Sequence, residues 1–495
     1  FWLHAKADIE AGEQLMASDY NSHYPGQMFK VPMPSGDYRF THFCEATQPS
    51  LELLDPLEGA IVCEIEPTRA VAHPPLHRII NGRLCFPLLK CRSIAEAVHV
   101  QQHCFNQKPW TQCSIDCNTC SGYWKSPPQP YTIMEVKHAI QKYGYKLRYV
   151  YCMLFTADVR TDMFKEFIGR TYGQKAKFSK PPKLNWPDPQ VCADYVRGMK
   201  EHANIDIPPE FHLHPQDWHT PEDSMKAMSK LVPNSAYGRT AMSPFKETVK
   251  LVEADYVKEQ KFLAENKQTI VGEPSHHAAH TLYKLKSRTP NSTIGKTNVL
   301  IGSYITAGAR LTIIDDMNFA VEHGCKVVYG DTDSMFFIKP RGATAPPTGI
   351  YLGQLENDMK AEWGTPEEIV AILPKSYAIR NTKGDVVKMR FKGVSGVAGS
   401  GGDARNCTIL DFKWMKSVAI AMRDGKPSTS VVVHHRQAGW KRNRLEPTIE
   451  WQDSWKIARA ERNMLKGRLA KSGRIYPFGA ENFDWGEDIE WVDAE

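Results

Sequence analysis

Long apolar runs are what this sequence most clearly lacks. No stretch in its 495 residues approaches the roughly 18 apolar positions that a membrane helix needs. No basic-then-apolar leader with a small-residue cleavage site opens it. The reading is an intracellular protein with no membrane partner. No internal repeat or long low-complexity tract is present, which excludes a repeat architecture. A large excess of one charge is also missing: 62 Lys and Arg against 56 Asp and Glu gives 62 − 56 = +6, weak evidence on its own for a polyanionic partner. Twelve cysteines in an intracellular chain argue against a disulfide framework.

What is present is an ordinary globular composition, 42% hydrophobic and 24% charged, in a chain too long for one core, so three or more domains are expected. Charge is unevenly spread. Arg160 to Lys183 holds seven Lys and Arg against two acids, and Arg436 to Arg474 holds eleven against four. Such segments can neutralise a phosphate backbone, or can be solvated helix faces. The last fifteen residues carry seven acids and no Lys or Arg, which reads as an interaction tail or a disordered one. Six cysteines fall between Cys85 and Cys120.

The apolar run Leu15–Ala17 leads into Asp19 as a strand ending in a turn, and residues 61–66 read as a strand. A helix is expected over Ile133–Tyr143, closed by Gly144. The Pro-rich stretch Pro181–Pro189 separates this region from a helix over Glu222–Tyr237, opened by Thr220-Pro221. Residues 246–296 are polar and without a strong period. A helix over Ile301–Glu322 precedes two apolar runs, Lys326–Tyr329 and Met335–Ile338, which read as a hairpin with Gly330-Asp-Thr-Asp333 at its tip. Ser395–Asn406 is a flexible junction before a basic, helix-rich C-terminal region. His212, His214, His219, His276, His277 and His280 read as loop residues.

Carboxylates two residues apart in a tight turn repel one another unless cations neutralise them, and magnesium favours carboxylate oxygens while keeping positions open for phosphate and water. Asp331 and Asp333 form such a pair. Asp19-Tyr-Asn-Ser-His-Tyr-Pro25 adds a third acid at a strand end, followed by Tyr24. Lys230, Asn234 and Tyr237 recur at i, i+4 and i+7, with Lys226 one turn earlier, so one helix face offers cations and a flat ring.

Together these segments resemble motifs A, B and C of family B DNA polymerases, DxxSLYP, KxxxNSxYG and YxDTDS. Lys375-Ser-Tyr377 is similar to the family's KxY element, Lys392-Gly393 to its KxKG element, and Ile305–Arg310 (ITAGAR) to its ITAxAR segment. Phe164–Ile168, with the preceding MEVKHAIQKYGYKL, and Tyr476-Pro-Phe-Gly479 resemble segments of the protein-primed branch and of viral and transposon polymerases. The resemblance covers about residues 10 to 480.

It implies a DNA-directed DNA polymerase with two Mg2+ (or Mn2+) ions at Asp19 and Asp333, and Asp331 close by. Lys226, Lys230, Asn234, Tyr237 and Tyr24 would meet the incoming dNTP, with Tyr24 beneath the sugar. Ser334, Lys375, Tyr377 and Lys392 would contact primer–template DNA, and a terminal protein would serve as primer. His23 departs from the family's Leu and Arg239 from its Lys. Pro233 stands inside the expected helix, where proline costs about 3 kcal/mol. Only eighteen residues precede Asp19, and the family's proofreading acids lie before that motif. The expectation is therefore a fragment, starting at Phe1, without an exonuclease; Glu64-Ile-Glu66 is taken as a sheet strand.

The implied fold is α+β, a right hand with two insertions: palm 1–30 and 299–400, fingers 156–242, insertions 31–155 and 243–298, thumb and acidic tail 401–495. Cys113, Cys117 and Cys120, with Cys104 or Cys91, have a spacing that suits tetrahedral Zn2+, and buried thiols are the alternative. A reverse transcriptase or RNA polymerase would lack the KxxxNSxYG helix and the SxYP tyrosine. An inactive remnant serving as a DNA- or zinc-binding module would not need acids at 19, 331 and 333.

Overall fold

The computed structural model describes residues 1–80, 83–88, 129–242, 247–253, 255–266, 269–277, 280–286, 297–393, 410–426, 430–442, 449–461 and 464–492. Its centre is a four-stranded antiparallel sheet. The Gln14–Tyr20 strand runs between Ser334–Lys339 and Leu355–Asn357, and Lys326–Asp331 pairs with the outer side of Ser334–Lys339. Both expected features at the acids are present, and the first strand runs one residue beyond Asp19.

Side chains of a strand alternate between faces, and here the alternation feeds two cores. Leu15, Ala17, Phe336 and Ile338 face a second antiparallel sheet through Ile369, Ala371 and Ile379. Its order is His4–Lys6, Pro366–Leu373, Ser376–Asn381, Val386–Arg390. Tyr20, Met335 and Phe337 face the other way, against Ile313, Ile314 and Met317 of the Val299–Glu322 helix. Four consecutive residues, Met335 to Ile338, are each at most 2% exposed, because both faces are covered. Burying such side chains contributes roughly 1.5–3 kcal/mol each.

The Val299–Glu322 helix is opened by Asn298, whose side chain accepts from the Ile301 amide. It also packs against a third antiparallel sheet, ordered Arg39–His42, Lys146–Thr156, Glu58–Glu66, Gln129–Thr132, and against the Ile133–Tyr143 helix. That helix has the expected bounds, with Gly144 at φ 69 as its left-handed cap. A capping box joins Thr132 and Glu135 at its start. Glu64 and Glu66 lie in the Glu58–Glu66 strand and pair with Arg78 and Arg148.

Three helices stand beside the central sheet: Lys165–Lys177, Pro189–Ala203 and Asp223–Thr240. The last begins at Asp223 with Glu222 as its N-cap, not at Thr220-Pro221. Pro233 is its one buried residue. The short His23–Lys30 helix follows Asp19 directly and packs on these helices through Met28 and Phe29.

Several expectations are corrected. The polar stretch holds a three-stranded antiparallel unit, Glu247–Glu253, His280–Lys286, Ser275–His277, with a Tyr256–Asn266 helix. His276, His277 and His280 therefore lie on strands, and its helix packs Phe262 against Tyr283 at 5.0 Å. His219 is buried, bonding the Tyr195 hydroxyl and the carbonyls of Ala176 and Ser179. The C-terminal region is not helix-rich among the described residues. One helix, Phe412–Arg423, covers the second sheet, and a long ribbon pairs Ser430–Arg442 with Ile449–Arg459. The β-branched run Val431–Val433 favours the strand. The acidic tail folds back: Glu487 receives bonds from Arg474 and Tyr476, Lys471 pairs with Glu490, and Trp485 and Trp491 pack on Tyr476. The expected junction at 395–406 lies outside the described residues, as do Cys91, Cys104, Cys113, Cys117 and Cys120. Among the described residues no helix is long and apolar enough to cross a membrane.

Candidate active site

The central sheet sets two acids side by side. Asp19 is paired with Ser334, and the Tyr20 amide donates to the Asp333 carbonyl at 2.8 Å. The turn between the hairpin strands is closed by the Asp333 amide on the Asp331 carbonyl at 2.6 Å, with Thr332 held at φ 59. After Asp19 the chain turns sharply through Ser22 at φ 55 into the His23–Lys30 helix. Neither Ser22 nor Thr332 is glycine, so each left-handed conformation costs about 1–2 kcal/mol. Such strain persists where the surroundings impose it.

The two acids are poorly neutralised by the protein. Burial, then the charges of Asp333 and Asp358, push the Asp19 carboxyl up to about 6, against the opposing pull of Lys388 and Lys230. Asp333 is also raised, by burial first and by the charge of Asp331, although its own amide, Lys375 and Lys230 oppose this. Asp331 differs. Lys375 Nζ is 3.2 Å from its Oδ2, and Thr332 Oγ1 donates to Oδ1 at 3.1 Å. An uncompensated pair of carboxylates is the donor set of a hard divalent cation, so Asp19 and Asp333 fit Mg2+ or Mn2+. No cluster of three or more His, Cys, Asp or Glu side chains in ligand-like array occurs among the described residues.

Asp19 and Asp333 open into a cavity of about 710 Å3 whose walls include Tyr24, Lys226, Lys230, Asn234 and Tyr237. All five expected nucleotide contacts are thus brought to one space. The rings of Tyr24 and Tyr237 stack with centroids 4.4 Å apart and planes 11° apart. Burial, with the neighbouring Tyr237, raises the Tyr24 hydroxyl to about 12.

The expected DNA contacts are elsewhere. Ser334 sits in the sheet beside Asp19, and its hydroxyl donates to the Asp331 carbonyl at 3.4 Å. Lys375, at φ 62, gives its amide to the Tyr329 hydroxyl at 2.7 Å as well as its amine to Asp331. Tyr377 packs between Tyr329 and Phe336 at 5.1 and 5.0 Å, as part of the core. Lys392 is exposed, and its amide donates to Ser376 Oγ at 3.1 Å.

Sequence reasoning missed Lys175. Its Nζ donates to Asn21 Oδ1 at 2.9 Å and to Ser22 Oγ at 2.6 Å, inside the same cavity. Burial, then the charges of Lys230 and Lys226, lower it to about 8. The signal available was its place in the basic stretch 160–183, three residues after Tyr172. Asn21 was also missed. Its amide group donates to the Tyr172 hydroxyl at 2.8 Å and the Ile350 carbonyl at 2.9 Å, tying the turn after Asp19 to the Lys165–Lys177 helix. Arg310 of the ITAGAR segment donates to Glu135 at 2.6 Å, and Glu135 is only 1% exposed.

Three solved structures of Phi29 DNA polymerase are similar to this chain. The ternary complex with primer-template DNA and incoming nucleotide substrates shares 14% identity at a TM-score of 0.43, over 93% of this chain and 60% of that one. The orthorhombic crystal form shares 16% at 0.39, over 78% and 50%. The post-translocation binary complex with primer-template DNA shares 17% at 0.38, over 78% and 48%. This chain thus spans about 60% or less of the length of each. No protein-family model and no curated protein sequence matches it.

Proposed function

We propose that this chain is the polymerising part of a family B DNA-directed DNA polymerase, adding deoxynucleoside monophosphates to a primer 3′-hydroxyl as a template directs. One observation carries the reading. Asp19 on its strand and Asp333 in the turn leading into the neighbouring strand line one cavity with Lys175, Lys226, Lys230 and the stacked Tyr24 and Tyr237. Carboxylates, cations and a flat aromatic surface around one open space are what a nucleoside triphosphate and its counter-ions require.

In this reading Asp19 and Asp333 would hold two Mg2+ or Mn2+ ions. Bound there, the ions would supply positive charge that stabilises the attacking and the leaving oxygen of an in-line displacement. The remaining work belongs to side chains. Lys226 and Lys230 neutralise the triphosphate, and Lys175, anchored on Asn21 and Ser22, adds a third cation from a second helix. Tyr237 packs on the nascent base pair. Tyr24 fills the space a 2′-hydroxyl would occupy. Lys375 holds Asp331 as an ion pair at the primer side of the hairpin. Residues 1–30 and 299–400 act as palm, 156–242 as fingers and 401–495 as thumb. The insertions 31–155 and 243–298 engage DNA and a terminal-protein primer, in replication of a viral or mobile-element genome.

Primer extension with Mg2+ or Mn2+ tests the reading. Asp19→Ala and Asp333→Ala should each reduce incorporation below a few per cent of wild type while primer–template binding stays nearly intact. Substantial incorporation by either variant would remove that residue from the site.

A further inference from the structure

Tyr20 ties together the two acids of the cavity. It is the residue after Asp19, and its amide donates to the Asp333 carbonyl at 2.8 Å. Its ring is buried, 4% exposed, in the core between the central sheet and the Val299–Glu322 helix. At the far end of that ring the hydroxyl donates to Asp316 of the helix, and the Thr312 carbonyl lies 3.3 Å away. His23 covers one face of the ring, with centroids 4.1 Å and planes 20° apart. Backbone and phenol thus make one rigid strut from the acids to the helix.

Cohesion alone does not require the anchor of that strut. Asp315, its neighbour, is bonded to His138 at 2.9 Å and to Lys142 at 2.8 Å. Asp316 is half-buried and has no ion pair among the described residues; the group that meets it is the Tyr20 hydroxyl. A carboxylate taken from water without a cation costs stability. Sheet and helix would adhere without it, because Met335 and Phe337 bury apolar side chains in the same core. Apolar contact is non-directional, whereas a phenol–carboxylate hydrogen bond is strong and fixes one atom against another. What Asp316 adds is therefore position, at the residue that joins Asp19 to the hairpin turn.

We infer that Asp316 is a positioning residue for the two acids. By holding the Tyr20 hydroxyl it fixes the backbone step between Asp19 and the Asp333 carbonyl, and so presets the pair for a divalent cation. The inference rests on the reading of those two acids as cation ligands. A preset site binds more tightly because less ordering is left to the ligand.

The experiment is a Mn2+ titration of the full chain without DNA or nucleotide, followed by the electron paramagnetic resonance signal of free Mn2+. Thermal unfolding is measured alongside. Tyr20→Phe keeps the ring and its stack on His23. It should weaken Mn2+ binding about tenfold, the factor expected for one hydrogen bond to a charged group. Asp316→Leu should do the same, and the double variant should be no weaker than either, since both changes remove one link. Asp316→Asn keeps an acceptor oxygen and should retain most of the affinity. Asp316→Ala replaces the leucine variant if that protein does not fold. Wild-type Mn2+ affinity in either Tyr20→Phe or Asp316→Leu, even with a lower unfolding temperature, makes the bond structural only and overturns the inference. Losses that multiply in the double variant overturn it too, as does an asparagine variant as weak as the leucine one. Asp19→Ala and Asp333→Ala separate these failures from that of the reading beneath: Mn2+ affinity unchanged in those two variants overturns both.

Discussion

Tyr24 and Tyr237 arrive from different elements, the first from the His23–Lys30 helix and the second from the Asp223–Thr240 helix, and their stacking makes the cavity wall nearly planar. In the proposed polymerase such a wall leaves no room for an extra hydroxyl on the sugar. Tyr24→Ala should therefore raise kcat/KM for ribonucleotides relative to deoxynucleotides by tenfold or more, about the effect of removing a clash of 1.4 kcal/mol. Paired single-nucleotide kinetics would measure the ratio, and an unchanged ratio would move discrimination elsewhere. Lys175 makes a separate prediction. Its amine already donates two hydrogen bonds to the turn after Asp19, so its charge is fixed in the cavity before substrate enters. Lys175→Met should raise KM for the incoming nucleotide about tenfold or more, as the loss of one charged contact, and leave primer–template affinity alone. Equal losses in both would mean that the lysine holds the fold rather than the phosphates.

At the scale of elements, the Ile133–Tyr143 helix is wired to the Val299–Glu322 helix through one buried carboxylate. Burial alone would raise Glu135, but the His77 contact at 3.4 Å and the Arg310 guanidinium outweigh it and hold it down to about 2. A depressed carboxyl contributes stability that is complete above its unfolded value near 4.5 and disappears as pH falls through the folded value. A shift of this size amounts to roughly 3 kcal/mol. The unfolding-temperature gap between wild type and Glu135→Gln should thus be wide at pH 6 and narrow steadily from about pH 5 towards pH 2. A gap independent of pH would show that the carboxylate is not the source. This helix was legible because Thr132, Glu135 and Gly144 state its two ends locally. The hairpin at Asp331–Asp333 was legible for the same reason, with apolar runs on both sides of a polar tip. The Glu247–Lys286 unit was not, because charged and apolar residues mix along its first strand, with Val249 and Leu251 exposed among Glu247, Lys250 and Glu253. The Ser430–Arg442 ribbon was hidden by its basic residues, which read equally well as a helix face. Lys175 was invisible for another reason: its partner Asn21 is 154 positions away, and no local pattern marks such a pair.

Across the whole molecule, the two cores built from the alternating faces of the Gln14–Tyr20 and Ser334–Lys339 strands bind the chain's distant parts into one body. The 247–286 unit stands apart from both cores and exposes Val249, Leu251, Tyr256 and Val257. If it grips template and product, as proposed, replacing residues 250–290 by a short Gly/Ser linker should shorten products on double-stranded templates while single-nucleotide addition persists. Equal product lengths on a folded protein would make the unit an ornament. Its Lys residues would act on phosphates, so the wild-type advantage should shrink as salt rises. The central sheet has a different kind of consequence. Asp19 lies on a strand and Asp333 in the turn that leads into the neighbouring one; Ser334 pairs with Asp19, the Tyr20 amide donates to the Asp333 carbonyl, and the side chains beside them are anchored in both cores. The backbone that carries Asp19 is therefore held by the sheet, and it cannot move along its strand without shearing the two interiors at once. In the proposed polymerase the metal-binding carboxylates would thus stand on a base of very low compliance, which side-chain evolution around the cavity can decorate but cannot rescale.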